Sequence, residues 1–164
     1  AHTMSMSVSA SCGIVLFWGS ITNAYGVGEI SPRLVNSTLI KCLKNINPTF
    51  TSGIQNYDFV YIDDVVRAFR LIAEKGKAFT EYTISSGFPK QLKEFLLEMQ
   101  AAVAPDLHFK FGEIPYTGIN LPLSSFYDDR ILKDTGFRAL VDFAEGCRKT
   151  INWLNEEMSL RKLI

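Results

Sequence analysis

The sequence lacks an excess of charge of either sign. Lys and Arg together number 17, as do Asp and Glu, and the two signs are interleaved along the chain without basic runs. Proteins that bind nucleic acid or anionic membranes usually concentrate positive charge on one face. We therefore expect neither a nucleic-acid partner nor a membrane partner, and we favour a small molecule or another protein.

Cysteine is also scarce. The three cysteines, Cys12, Cys42 and Cys147, are far apart and have no neighbouring histidines. An odd number with this spacing fits neither a disulfide framework nor a zinc site. We interpret all three as reduced packing residues and predict no metal site.

Long hydrophobic runs are missing. The longest, from Gly13 to Gly19, is far shorter than a membrane span, and the small polar residues from Ser5 to Ser11 do not resemble a signal peptide. A cytoplasmic location is the resulting expectation. Ala1 to Thr3 precede Met4 and are interpreted as a cloning remnant, so that residues 1–12 form a tag remnant and leader.

The remaining chain alternates between strand and helix patterns, which is typical of a parallel α/β fold. The continuous apolar run from Gly13 to Gly19 predicts a strand covered on both faces. Further strands are predicted at Phe59 to Ile62 and Phe79 to Ser85, and a short one at Leu107 to Phe111. Helices are predicted at residues 32–45, from Asp63 to Gly76, around residues 92–103, and from Asp142 to the end.

Polar residues between these elements suggest where a ligand could bind. The segment from Asn45 to Asp58 reads as a long polar loop, and such loops are often functional. Asp63 and Asp64 follow a predicted strand and are expected to act as helix N-caps, with Asp58 in a turn. We do not interpret these three carboxylates as a metal site, because the sequence supplies no further ligands.

Five short stretches occur in an order that resembles one known family. The first is an Asn-x-Tyr-Gly turn after the first strand, and the second is a segment that contains a Gln and an Asp-Phe pair. The third is a strand with Tyr-Thr-Ile, the fourth contains a Gly-Phe pair, and the fifth is a closing helix with Glu-Gly and Trp. They lie at Ile21 to Gly26, Gly53 to Asp64, Glu81 to Gly87, Asp134 to Phe137 and Phe143 to Trp153. Together they resemble the carboxyl-terminal part of extended short-chain dehydrogenases, the NAD-dependent epimerase/dehydratase family.

The resemblance implies a partial Rossmann-type fold, with late parallel strands and a mixed substrate-binding subdomain over residues 13–164. The family's glycine-rich dinucleotide turn and its Tyr-x-x-x-Lys pair are not found in these residues. We therefore expect the amino-terminal dinucleotide-binding half to be absent. NAD or NADP is implied for an intact parent enzyme, which would epimerise, dehydrate or reduce a nucleotide sugar, and no cofactor is expected on this chain alone.

Four residues are implied as substrate contacts. Asn23 matches the turn asparagine that faces the nucleotide-sugar diphosphate, although an Asn can instead satisfy its own turn. Phe50 matches a position that packs against the nucleotide base, with burial in the core as the alternative. Arg33 could reach a phosphate from the start of its helix or remain a solvated surface residue. We expect Asn23, Phe50 and Tyr57 to share one cleft.

Some residues depart from the family pattern. Tyr57 stands where the family has an arginine that pairs with the diphosphate, Ser20 replaces another arginine, and a later one is replaced near Tyr116. These changes leave open a second hypothesis, in which the chain is a non-catalytic interaction module derived from the same fold.

The apolar strand at Gly13 to Gly19 also bears on assembly. With only the strand at Phe79 to Ser85 beside it, one edge and several large side chains would face water. We therefore expect a homo-oligomer in which a partner chain covers this strand.

Overall fold

The computed structural model describes residues 2–160. The amino-terminal part contains α1 (His2–Ser11), β1 (Trp18–Ile21), β2 (Ala24–Tyr25), α2 (Leu34–Leu43), β3 (Asn56–Tyr57), β4 (Val60–Tyr61) and α3 (Ile62–Lys75). The remainder contains β5 (Glu81–Ile84), β6 (Lys90–Gln91), α4 (Leu92–Val103), a 3-10 turn (Leu123–Phe126), α5 (Arg130–Thr135) and α6 (Phe143–Leu160). Residue 1 and residues 161–164, the outer ends of the two expected segments 1–12 and 13–164, lie outside the described residues.

The strands form three short pairs. β1 and β5 are parallel, with Trp18 opposite Glu81 and Ile21 opposite Ile84. β2 and β4 are also parallel, whereas β3 and β6 are antiparallel. The predicted α/β class with late parallel strands and a mixed second part is confirmed.

The predicted strand at Gly13 to Gly19 is wrong in its position and its burial. The strand begins at Trp18, and Ile14 and Val15 are each 58% exposed. A strand extends only as far as its partner's backbone, and β5 offers β1 four residues. Among residues 2–160, β1 pairs with β5 alone.

Residues 2–11 form a helix that the sequence did not predict. No residue of α1 is buried, and its one ring contact is that of His2 with Trp18, whose centroids are 4.6 Å apart. The side chains of α1 are mostly small and polar, so the sequence shows no apolar stripe at helical spacing that would predict this helix. The proposed division of the chain at residue 12 stays a prediction.

The larger core cluster is rich in aromatic rings. Phe59 contacts the rings of Tyr25, Phe95 and Phe143, with centroids 5.1 to 6.1 Å apart. Pairs at these distances add to the stabilisation that burial itself gives. The helix predicted around residues 92–103 is found as α4, and it supplies Leu92, Phe95, Leu96 and Met99 to this cluster.

A second cluster lies between the β1–β5 pair and the helices α3 and α5. Its buried members are Val60, Val65, Ala68, Ile72, Tyr82, Ile84, Ile131 and Phe137. Phe69 of α3, in contrast, is 44% exposed. Its ring lies over Gly19, where an added Cβ would stand 2.6 Å from the Phe69 ring.

The expectation that Asp63 and Asp64 are N-caps is wrong. The N-cap of α3 is Tyr61, because β4 runs directly into the helix, so both carboxylates fall in its first turn. Asp63 is exposed, but Asp64 is 2% exposed and accepts hydrogen bonds from the backbone N–H groups of Leu140 and Val141 at 2.9 and 3.0 Å. Asp64 therefore fastens the segment before α6 to α3.

The cysteines are all free. Cys147 of α6 is fully buried in the aromatic core and Cys42 of α2 is half-buried beside it, as predicted for packing residues. Cys12 is exposed, so its assignment as a packing residue is wrong. It follows the last residue of α1, a helix with no buried face.

Candidate functional site

The candidate site lies at the carboxyl end of β1, where Thr22 and Asn23 follow the last strand residue. Ligands of parallel α/β folds bind at this end of the sheet, because the loops that follow the parallel strands all lie at this edge. The Asn23 side-chain amide donates to the carbonyl oxygen of Asp58 at 3.0 Å. The amide nitrogen is thus used within the fold, and Oδ1 is the atom of this side chain left to meet a ligand.

Asp58 holds the strand ends together. Its carboxylate is fully buried and accepts a hydrogen bond from the Thr22 hydroxyl at 2.6 Å. It also accepts the backbone N–H of Ser86 at 2.9 Å and the Ser86 hydroxyl. Since Thr22 follows β1 and Ser86 follows β5, one carboxylate fixes the ends of both strands and, through its own carbonyl, the side chain of Asn23.

Two adjoining cavities open around Thr22, Asn23 and Tyr57. The first, which we call the α2 cavity, has a volume of about 440 Å³ and is also lined by Ala24, Tyr25, Glu29, Arg33, Leu34, Val35 and Phe59. The second, the loop cavity, has a volume of about 270 Å³ and is also lined by Asn56, Tyr116, Ile119, Leu121 and Phe126. Asn23 and Tyr57 therefore share a cleft, as expected.

Tyr57 separates the two cavities. It belongs to β3, and its ring stacks on that of Phe59 at 5.5 Å between centroids and 15° between planes. Within the described part of the chain, its hydroxyl makes no hydrogen bond to another residue. This phenol can offer a ligand one hydrogen bond and a partly exposed ring edge, but no charge.

Arg33 lies at the mouth of the α2 cavity as the N-cap residue of α2. Its Nε is 3.3 Å from Oε1 of Glu29, and its side chain is 73% exposed. The ion pair is therefore largely solvated and contributes little to stability. The position permits contact with a ligand, which stays a prediction.

Phe50 does not share the cleft. It is 4% exposed, and its ring packs against Phe109 and Phe111 with centroids 5.4 and 5.5 Å apart. The expected strand from Leu107 to Phe111 is reduced to a single parallel bridge between Thr49 and Lys110, which brings these rings together. The prediction that Phe50 lies with Asn23 and Tyr57 is wrong, because hydrophobic burial draws the loop aromatic into the core.

Tyr25 is the most buried side chain at the α2 cavity. Its hydroxyl donates to the carbonyl oxygen of Phe143 at 3.3 Å, and burial raises the pKa of its phenol far above the usual value. Because the phenol stays neutral, Tyr25 cannot serve as a base near neutral pH. Tyr25 is therefore suited to packing and hydrogen bonding rather than to proton transfer.

A model of the NAD dependent epimerase/dehydratase family matches residues 1–85, more than half of the 164 residues. The chain belongs to this family. The match includes β1, the Asn-x-Tyr-Gly turn and Asp58, and it ends one residue before Ser86, the remaining partner of Asp58.

Individual relatives agree with this assignment. The chain is 30% identical over 141 residues to CDP-abequose synthase of Salmonella typhimurium, covering 82% of this chain and 46% of the relative. The fold is similar to that of Bordetella bronchiseptica WbmF solved in complex with NAD+, with a TM-score of 0.80 and 22% identity over 99% of this chain and 52% of that one.

A third relative has the same fold. The UDP-N-acetylglucosamine 4-epimerase of Methanobrevibacter ruminantium, solved in complex with UDP-N-acetylmuramic acid, has a TM-score of 0.80 and 18% identity, over 96% of this chain and 51% of that one. The chain thus spans about half the length of the relatives it matches. The expected partial Rossmann-type fold is confirmed.

A larger cavity of about 570 Å³ is lined by none of Asn23, Arg33, Phe50 and Tyr57. Most of its lining is apolar, including Phe88 and Leu140, and it also contains the charged side chains of Lys90, Glu98 and Asp142. Within residues 2–160, no three His, Cys, Asp or Glu side chains are grouped so that they could hold a metal ion. None of the helices in this described range is long and apolar enough to cross a membrane.

The sequence did not identify Glu29 as a site residue, and it indicated only a turn position for Asp58. Glu29 lines the α2 cavity and accepts a hydrogen bond from the Ser31 hydroxyl at 2.6 Å. Its position four residues before Arg33 is a signal that could have predicted the ion pair. The role of Asp58 carried no such signal, because its partners Thr22 and Ser86 lie 36 and 28 residues away along the chain.

Proposed function

We propose that these residues form the substrate-binding portion of an NAD(P)-dependent enzyme that epimerises, dehydrates or reduces a nucleotide-linked sugar. Family membership supports the reaction class, and the complexes of WbmF with NAD+ and of the 4-epimerase with UDP-N-acetylmuramic acid support the cofactor and the ligand class. In this proposal the dinucleotide is held by residues of the parent protein other than these 164. A cytoplasmic location and a homo-oligomer stay predictions.

The proposal rests on one observation: Asn23 and Tyr57 both line the two cavities at the carboxyl end of β1. The larger of the two volumes, about 440 Å³, is in the range that holds a small ligand. The polar side chains of Asn23 and Tyr57 line both cavities, where they could fix the orientation of a sugar or a base.

A non-catalytic interaction module is the second candidate. Two side chains that replace arginines of the family pattern are engaged in contacts within the fold. The Ser20 hydroxyl donates to Oε1 of Glu81 at 2.8 Å, and Tyr57 stacks on Phe59. Neither residue supplies the positive charge that a diphosphate would attract, which favours a chain that has kept the fold without the chemistry.

Titration calorimetry with nucleotide sugars distinguishes the two candidates. We expect UDP- or CDP-linked sugars to bind the wild-type chain, and Asn23→Ala to weaken binding about three- to tenfold, the effect of one lost hydrogen bond. Asn155→Ala, an exposed asparagine of α6, is the matched control and should change nothing. Thermal unfolding of each variant shows whether the fold is retained.

NAD and NADP serve as the second pair of ligands. We expect no tight binding of either, since no glycine-rich turn is available to approach a pyrophosphate. Tight dinucleotide binding would contradict the proposal that residues other than these 164 hold the dinucleotide. Failure of every nucleotide sugar to bind a folded wild-type chain would instead favour the interaction module.

A further inference from the structure

Ser86 connects the end of β5 to the candidate site from outside its cavities. It follows the last residue of β5 by two positions and is half-buried. It lines neither the α2 cavity nor the loop cavity. Its backbone N–H donates to the carboxylate of Asp58 at 2.9 Å, and its hydroxyl donates to the other oxygen of the same carboxylate. An effect of Ser86 on a ligand in these cavities would therefore pass through Asp58.

The carboxylate of Asp58 depends on these donors. It is fully buried, and within residues 2–160 it forms no ion pair with a lysine or an arginine. In this described range, its donors are the Thr22 hydroxyl, at 2.6 Å, and the backbone and side chain of Ser86. Burial of a charged group is costly unless hydrogen bonds satisfy it. Loss of the Ser86 hydroxyl would leave one carboxylate oxygen without a donor.

The turn after β5 fixes the direction of the Ser86 hydroxyl. Its oxygen accepts the backbone N–H of Phe88 at 3.0 Å, an arrangement typical of serine in turns. Gly87, between them, has a φ of 83°, a conformation that glycine adopts without strain. Since the oxygen accepts from Phe88, its own hydrogen is available for Asp58.

Asp58 in turn holds Asn23. The Asn23 side-chain amide donates to the Asp58 carbonyl oxygen at 3.0 Å, and the Asn23 carbonyl oxygen accepts the backbone N–H of Val60 at 3.0 Å. Asn23 is thus tied at its side chain and its backbone to the segment that contains Asp58. A shift of Asp58 would change the direction of Oδ1 of Asn23, the atom left for a ligand.

We propose that Ser86 is a positioning residue for the ligand: acting through Asp58, it fixes the orientation of the Asn23 side chain at the two cavities. This inference rests on the proposed function, because it assumes a nucleotide-linked sugar that Asn23 contacts. A ligand binds more tightly when the groups that meet it are already held in place. Ser86 contributes to affinity in this way without touching the ligand.

The first measurement follows Asn23 without a ligand. Nuclear magnetic resonance of the isotope-labelled chain detects the side-chain amide of Asn23, whose signals are assigned by their loss in Asn23→Ala. We expect Ser86→Ala to shift these signals, because the carbonyl group that accepts from the amide changes its orientation. Ser86→Thr keeps the hydroxyl and should leave the signals close to their wild-type positions.

The matched control removes a buried hydroxyl elsewhere. Thr150 of α6 is fully buried, its hydroxyl donates to the carbonyl oxygen of Gly146 at 2.7 Å, and it lines neither of the two cavities. Thr150→Val should lower the melting temperature but leave the Asn23 signals in place. This control separates positioning from a general loss of stability.

Calorimetry with UDP-glucose and CDP-glucose measures the effect on binding. We expect Ser86→Ala to weaken binding about three- to fivefold, which is within the range for one hydrogen bond. Ser86→Thr and Thr150→Val should bind as the wild type does. Adding Ser86→Ala to Asn23→Ala should weaken binding by less than about twofold, because the side chain through which Ser86 acts is already gone.

Four results would overturn the inference and leave the proposed function standing. These are unchanged Asn23 signals in Ser86→Ala, wild-type affinity of Ser86→Ala, equal losses of affinity in Ser86→Ala and either Ser86→Thr or Thr150→Val, and additive losses in the double variant. If neither nucleotide sugar binds the folded wild-type chain, the proposed function fails and the inference fails with it.

Discussion

The aromatic core and the amino-terminal segment contain similar apolar residues but differ in burial. Phe95 and Leu96 of α4 are 2% and 1% exposed, whereas Ile14 and Val15, in the most continuous apolar run of the chain, are 58% exposed. Hydrophobicity is therefore not sufficient for burial. The helices α4 and α6 cover each other, while in residues 2–160 β1 has a strand on one side only.

The largest effect should come from the core side of this comparison. Phe95 contacts the rings of Phe59 and Phe143, so Phe95→Ala removes a ring and leaves a cavity. We expect a loss of about 3–5 kcal/mol in the free energy of unfolding, measured by urea denaturation. Val15→Ala is the matched control and should change the free energy by less than about 0.5 kcal/mol. Similar losses for both variants would show that the amino-terminal segment is also packed.

A smaller effect should follow from loosening the strand ends. Asp58→Asn replaces one carboxylate oxygen by an amide that cannot accept from Thr22 and Ser86. We expect a loss of about 1–3 kcal/mol, the cost of leaving buried donors unsatisfied. Asp63→Asn, an exposed change in the first turn of α3, should have little effect. Equal unfolding curves for the wild type and Asp58→Asn would show that the network contributes nothing to stability.

Local patterns in the sequence predicted the helices better than they predicted the contacts between distant residues. The helix α4 and the end of α3 before Gly76 are set by residues a few positions apart, and both are found as predicted. The extent of β1 depends on β5, about 60 residues later along the chain, which a local apolar pattern cannot register.

The same reasoning applies to the candidate site. Asn23 and Tyr57 could be brought together from a resemblance, because both lie in motifs whose spacing the family fixes. The burial of Phe50 depends on Phe109 and Phe111, which come from outside those motifs. Asp64 bonds to Leu140 and Val141, so its role depends on a segment more than seventy residues away. Side-chain direction at such positions is set by tertiary contacts.

The exposed side of the comparison should govern assembly more than stability. Ile14 and Val15 are exposed in the segment that leads into β1, which among residues 2–160 has one open edge, and association would remove both side chains from water. We expect light scattering to show a dimer or larger species at micromolar concentration, and Val15→Lys to shift it toward monomer with a change in stability below about 0.5 kcal/mol. Val66→Lys, an equally exposed apolar residue on α3, is the control. A wild-type monomer at these concentrations would contradict the prediction.

The smallest effect on stability is expected from a change at the exposed cysteine, and the three cysteines together show the sharpest contrast between the two regions. Cys12 is exposed beyond α1, Cys147 is fully buried, and burial raises the pKa of the Cys42 thiol to about 11. Because the thiolate is the reactive form, Cys42 is almost entirely unreactive at pH 8, and burial also protects Cys147.

Titration of the native chain with a thiol-specific disulfide reagent should therefore label one cysteine rapidly, and all three after denaturation. Cys12→Ser should remove the fast phase without changing the unfolding curve, and Cys147→Ser should leave the fast phase intact. Rapid labelling of a second thiol in the folded chain would mean that the contact between α2 and α6 opens often. The buried thiols of the core would then differ less from the exposed Cys12 than their burial indicates.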